Sequence, residues 1–164
     1  MQITLEYLLT NKFNKTGLEV QEYKKENKSG MFSVGELDGL PAPDEEKRIQ
    51  LRIKMSDLVA KRCKTFAEAS IQTQINAETL RKYVSYNQKR KISRIMLAKF
   101  VLGLNLSQKD ADELFRLQEH PLDPENVLLD AVVIHCLEEG GGIDGFYETC
   151  EQVGLEIDIN RENV

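Results

Sequence analysis

Two histidines and three cysteines are the side chains best suited to metal or nucleophilic chemistry in this 164-residue chain. Their spacing argues against both. His135 and Cys136 are adjacent, and Cys150 follows 14 residues on. Zinc sites draw on pairs a few residues apart, a pattern not found here. Neighbours on a helix point about 100° apart and do not share an ion easily. His120 stands alone before a proline. The odd cysteine count, with no CxxC, predicts that Cys63, Cys136 and Cys150 are reduced and buried. Gly140-Gly141-Gly142 lacks the GxxxxGK[ST] of a phosphate loop and reads as a helix stop with a turn. No nucleophile sits beside a base in a recognisable pattern. The expectation is a protein with no catalytic residues, no metal and no cofactor.

What remains is ionic chemistry, and it is concentrated. Residues 47–99 hold 14 Lys+Arg against 3 Asp+Glu, a net of +11. Residues 1–46 carry −4 and residues 100–164 carry −12, so the overall −5 conceals the contrast. A basic middle third suggests a polyanion as partner. Packing of the basic third on the acidic one, internally or between copies, is the other reading. An acidic rear face would also orient a polyanion toward the basic one.

The elements that position these charges are mostly helices. Thr4 to Leu9 opens a short helix capped by Thr4. Leu18–Tyr23 alternates apolar and polar, and Met31–Val34 could pair with it as a small β hairpin. The two prolines in residues 39–43 make a linker. Asp44 then caps a helix whose stripe is Ile49, Ile53, Leu58 and Val59, with Cys63 near its end. Thr65 and Glu68 form a capping box ahead of a short helix, and Asn76 caps a second one. Ser93 starts a helix with Ile95, Met96, Phe100 and Val101 on its inner face. Ser107 starts the next, with Ala111, Leu114, Phe115 and Leu117. Asp123 with Pro124 predicts a helix from Glu125 to Glu139, with Val127, Leu128, Ala131, Val132 and His135 on one side. A last helix spans about Ile143 to Val153. The organisation expected is an N-terminal element (1–43), a helical domain (44–118) and an acidic helical extension (119–164).

Within the middle domain two short helices meet at a tight turn. Ala69 and Ser70 are small enough for a close crossing, Ile75 plugs the turn, and Leu80 and Tyr83 anchor the second helix from inside. Asn76, Ala77, Glu78, Arg81, Lys82 and Ser85 are left facing outward. The segment TFAEASIQTQINAETLRKYVSYNQKRK, with ISRIMLAKFVLGLNLS after it, resembles the Cro/cI-like (Xre-type) helix-turn-helix family of phage and bacterial regulators. The likeness covers roughly residues 47–118. The turn position usually held by glycine is Gln74, which must then accept a left-handed backbone at about 1 kcal/mol, or the turn has another shape. Phe66 stands where the family commonly has a polar residue.

The resemblance implies a mainly α fold: an Xre-like bundle with extra C-terminal helices. It implies that Asn76, Ala77, Glu78, Arg81, Lys82 and Ser85 face base edges of double-stranded DNA. Arg81 is the candidate to read guanine. Lys89, Arg90 and Lys91 would touch phosphates, and Gln72 and Thr73 would brace the backbone. The function so implied is sequence-specific, repressor-like transcription regulation by a homodimer. The alternative is an antitoxin-like interaction module whose acidic C-terminal helices bind a protein partner. No apolar run is long enough for a membrane span and no signal peptide is evident, so a cytoplasmic location is expected.

Overall fold

Five helix starts follow from the polar residue just ahead of them. The side chains of Thr4, Thr65, Asn76, Ser93 and Ser107 each accept a hydrogen bond from a backbone N–H in the first turn. Those N–H groups have no partner inside the helix, so the cap sets where each helix begins. The structure is a computed structural model describing residues 2–18, 43–85 and 91–157. It is mainly helical, with eight helices and no strand among the described residues. In chain order they are α1 (Leu5–Thr10), α2 (Pro43–Arg62), α3 (Phe66–Thr73), α4 (Ala77–Val84), α5 (Arg94–Gly103), α6 (Gln108–Gln118), α7 (Leu128–Glu139) and α8 (Gly142–Val153). The expected hairpin strands lie outside the described residues, apart from Leu18, as does the linker apart from Pro43.

Several boundaries and faces differ from expectation. α2 begins at Pro43, one residue ahead of the supposed cap Asp44. Proline suits a first helical position because its missing N–H would have no helical partner there. The buried stripe of α2 is Leu51, Met55, Leu58 and Val59, with Cys63 buried just past its end, while Ile53 is 55% exposed. α2 packs on α6 and α4, and that side selects the Leu51 row over the Ile53 row. α7 begins at Leu128, not at Glu125. Asp123 instead accepts the Asn126 N–H at 3.3 Å, closing a turn. α7 therefore has no side-chain cap. Its first N–H groups, from Leu128 and Leu129, donate to the Lys15 and Thr16 carbonyls at 3.0 and 2.9 Å.

That substitution explains the N-terminal segment. It runs along α7 in the opposite sense, with Lys15 bridged to Val127 at one end. At the other end the Ile3 N–H donates to Glu138 at 2.9 Å, and His135 Nδ1 donates to the Ile3 carbonyl at 2.7 Å. Tyr7 donates to the Pro124 carbonyl between them. Gly17 sits at φ 92°, and a Cβ there would lie 2.7 Å from that of Leu129. Only glycine lets the strand-like segment lie this close.

α5 is the central helix. It touches α3, α6, α7 and α8. Every residue from Arg94 to Leu102 is buried, not just the face holding Ile95, Met96, Phe100 and Val101. Gly103 ends it against α3, where an added Cβ would meet the Gln72 oxygen at 2.5 Å. Lys99, fully buried, places Nζ 6.0 Å from the Tyr147 ring centre on α8. One apolar cluster joins residues from Ile3 to Leu155, including Leu129, Val132, Phe146 and Cys150 of the two C-terminal helices.

The strongest polar contact in this core is Arg94 with Asp130. Nε donates to Oδ1 at 2.8 Å and Nη2 to Oδ2 at 2.9 Å. Nη1 donates to Gln118 at 2.9 Å, and the Gln118 amide donates to the Ile92 carbonyl. Asp130 also accepts the Asp123 N–H at 2.8 Å. The guanidinium lies 4.9 Å from the Phe115 ring centre. Arg94 is 8% exposed and Asp130 is 0%. Removing one partner leaves an uncompensated buried charge. Asp130→Ala is expected to lose about 3–5 kcal/mol in urea unfolding. Arg94→Met with Asp130→Leu should lose less than that single change.

A second pair ties α2 to α6. Lys54 Nζ lies 3.1 Å from Asp110 and 3.2 Å from Glu113. Partial burial opposes the Asp110 charge, but the hydrogen bond and charge of Lys54 outweigh it and hold the carboxyl below its ordinary value. The hydrogen bonds to Asp110 and Glu113 raise the Lys54 ammonium. The lowered carboxyl contributes stability above the ordinary Asp value near 4, lost as pH falls through the folded value. The raised ammonium contributes below the ordinary Lys value near 10.4, lost as pH rises through its folded value. Unfolding curves below about pH 4 should show the wild type losing more stability than Asp110→Asn, by up to about 1 kcal/mol.

Candidate nucleic-acid interface

The two short helices α3 and α4 are joined by Gln74, Ile75 and Asn76. Gln74 has φ 59° and ψ 29°, a left-handed backbone, and its N–H donates to the Ser70 carbonyl at 2.8 Å. Its side-chain amide donates to the Ile71 carbonyl at 3.0 Å, which offsets part of the strain that glycine would avoid. Ile75 and Ala69 are fully buried. Thr65 accepts the Glu68 N–H at 3.1 Å, while the Glu68 carboxylate accepts from Lys64 N–H at 3.2 Å. The return half of the capping box thus falls one residue earlier than the standard arrangement.

α4 is buried on one side and exposed on the other. Thr79, Leu80 and Tyr83 face inward. Asn76, Glu78, Arg81, Lys82 and Ser85 are exposed, and Ala77 is half-buried. Burial of the inner row at i, i+1 and i+4 leaves the polar row no direction but outward. Asn76 spends its Oδ1 on the Glu78 N–H at 2.8 Å, so it serves first as the helix cap. Lys91 is exposed; Lys89 and Arg90 lie outside the described residues.

Thr73 departs from its expected role of bracing the DNA backbone. Thr73 is fully buried. Its hydroxyl donates to the Ala69 carbonyl at 2.8 Å and accepts the Ile75 N–H at 3.2 Å. It braces the protein's own turn and does not reach the surface. Gln72 is half-buried and accepts from the Cys63 thiol at 3.7 Å. Ile71 beside them is 72% exposed.

Phe66 takes a part not anticipated for it. The Arg81 guanidinium lies 5.5 Å from its ring centre and 2.8 Å from Glu78 Oε1. The aromatic ring and the carboxylate hold an otherwise long, mobile side chain against the helix surface. The sequence signal was present: Glu78 and Arg81 are three apart on one helix, the spacing of a surface ion pair. The Phe66 contact joins two helices and has no such signal.

Among the described residues no group of three or more His, Cys, Asp and Glu could hold a metal ion. No described helix is long and apolar enough to cross a membrane. All three cysteines are free and buried, as expected. Burial pushes the Cys136 thiol up to about 11, against a hydrogen bond with Thr149. Burial and then the nearby Cys136 push Cys150 up to about 12. Burial also raises Cys63, with Glu68 adding to the rise. Comparisons with protein-family models, with curated proteins and with solved structures found no match.

Because the thiolate is the reactive form, these thiols should be slow toward disulfide reagents. At about pH 8, reaction of Cys136 and Cys150 should be more than about a hundredfold slower in the folded protein than in denaturant. Timed labelling with mass spectrometry at each site checks this.

Proposed function

We propose that this chain is an Xre-type helix-turn-helix protein that binds double-stranded DNA sequence-specifically and regulates transcription in a repressor-like manner. The observation that carries the reading is the division of α4 between a buried anchor of Thr79, Leu80 and Tyr83 and an exposed polar row. A helix held from one side and polar on the other suits a major groove about 12 Å wide. Gln74 in the left-handed region gives the turn the shape that glycine usually provides at this point of the family pattern.

Arg81 must leave Glu78 to reach a base. An exposed ion pair is worth at most about 1 kcal/mol. A bidentate contact to guanine discriminates by about 1–3 kcal/mol. The base contact therefore prevails where guanine is present. Lys82 and Ser85 extend the reading face. Lys91, with the neighbouring Lys89 and Arg90, supplies phosphate contacts that are insensitive to sequence. A homodimer on a palindromic site doubles the few contacts that one such helix can make.

A second reading rests on α8. Asp144, Glu148 and Glu151 are exposed and spaced four and three apart, which places them in one acidic row. Such a row suits a basic protein partner, and charge removal there, not on α4, would then abolish binding.

Selection from a randomised duplex pool at near-physiological salt tests the DNA reading. A palindromic motif should be enriched. Arg81→Ala should cost about 1–3 kcal/mol and relax one position of that motif. Lys91→Ala should weaken all sequences alike and reduce the salt slope by about one. Absence of enrichment would sink the regulator reading.

A further inference from the structure

Away from the outer face of α4, a cavity of about 320 Å³ opens between α2, Tyr83 at the end of α4, Lys91 with Ile92, and the end of α6. Its floor is apolar: Leu51, Met55 and Leu117 line it and are buried. Its walls are cationic. Lys47, Arg48 and Arg52 reach it from α2, and Lys91 faces them from the segment before α5. Glu119 is the one carboxylate among the lining residues described.

Two features set this lining apart from a solvated basic face. Arg48 and Arg52 are one turn apart on the same side of α2, where like charges destabilise a helix. Burial first, and the Arg48 charge second, lower the Arg52 guanidinium, with Glu45 acting the other way. Arg48 Nε is buried and has no hydrogen-bond partner. A buried donor of that kind is costly unless something accepts from it. Asp110 and Glu113 of α6 pair with Lys54. Gln118 on the wall is likewise occupied by Arg94 and the Ile92 carbonyl.

An anion would accept from the Arg48 Nε, and an apolar body would cover the floor. The volume is that of about ten waters, well beyond one inorganic ion and at the small end of ligand pockets. Four cations against one carboxylate favour a dianion over a monoanion. We infer that this pocket binds a small organic phosphate monoester, its phosphoryl group against Arg48 and Arg52 and its apolar body on Leu51, Met55 and Leu117. Bidentate geometry makes arginine well suited to that group. The site does not depend on the DNA reading, although Tyr83 and Gln118 connect its walls to the anchor of α4 and to the Arg94 network.

Calorimetric titration of the full chain without DNA tests the inference. The probes are phenyl phosphate, inorganic phosphate and phenol. Phenyl phosphate should saturate one site and bind at least about tenfold more tightly than inorganic phosphate, since the ring buries on the floor. Phenol should show no saturable binding. Arg48→Gln should weaken phenyl phosphate about tenfold, the scale of a lost charged hydrogen bond. Lys91→Gln, an exposed change that leaves the core intact, should weaken it severalfold and guards against a fold defect in the first variant. Circular dichroism melts without ligand check both. The inference is overturned if wild type shows no saturable binding below about 10 mM. Equal affinity for phenyl and inorganic phosphate also overturns it, and would mark a general anion site such as one for a DNA backbone phosphate. So does wild-type affinity in both folded variants. Lys91 is shared with the proposed phosphate contacts, but the sequence-reading residues Arg81 and Lys82 do not line the pocket, so selection of a duplex motif and binding of phenyl phosphate fail separately.

Discussion

The buried pairing of Arg94 with Asp130 is the constraint around which the rest of the molecule is arranged. Moving two charges out of water is costly, and the cost is offset only when geometry is good and every remaining donor and acceptor is used. Here the guanidinium makes a two-bond contact with the carboxylate and also reaches Gln118. The carboxylate further accepts the Asp123 N–H. The start of α5, the end of α6, the connection after it and the start of α7 therefore have to sit in one mutual arrangement. An apolar contact tolerates sliding, but this set of hydrogen bonds does not.

A second dependence runs through backbone rather than side chains. α7 lacks a capping side chain, and its first N–H groups are satisfied by the carbonyls of Lys15 and Thr16. The N-terminal segment thus belongs to the same structure as the C-terminal helices, held at its other end by Glu138 and His135. With α5 surrounded by α3, α6, α7 and α8, the C-terminal helices complete the core behind the two short helices. Gly103, pressed on Gln72, carries that support directly to the turn.

The charge contrast along the chain acquires two uses in this setting. Lys54 and Arg94 of the basic third pair with Asp110, Glu113 and Asp130 of the acidic third, so part of the contrast serves packing. Among the other described cations, Arg81 and Lys82 stand on the exposed row of α4, and Lys47, Arg48, Arg52 and Lys91 line the cavity beside α2. The first is solvated and polar, and the second is partly desolvated over an apolar floor. A row of one kind suits a large polyanion, and a pocket of the other suits a small amphipathic one.

Much of this was legible in the sequence because it is local. Polar caps at Thr4, Thr65, Asn76, Ser93 and Ser107, the plug at Ile75 and the anchors Leu80 and Tyr83 all follow from chain neighbours and helical spacing; of the two turn shapes left open at Gln74, the structure has the left-handed one. The outward direction of Arg81 and Lys82 follows from the same spacing. What the sequence left open is what depends on distant partners. Ile53 reads like a core residue until α6 and α4 select the Leu51 row. Thr73 reads like a surface threonine until the turn closes over it. Arg94, Lys99 and Asp130 read like surface charges, and α5 and α7 like one-sided helices, until neighbours cover every face. The amino-acid sequence by itself determined where helices start and which small set of residues one of them presents. Only the tertiary structure decided which charges are buried together, because that depends on residues 24 to 36 positions apart meeting where water is excluded.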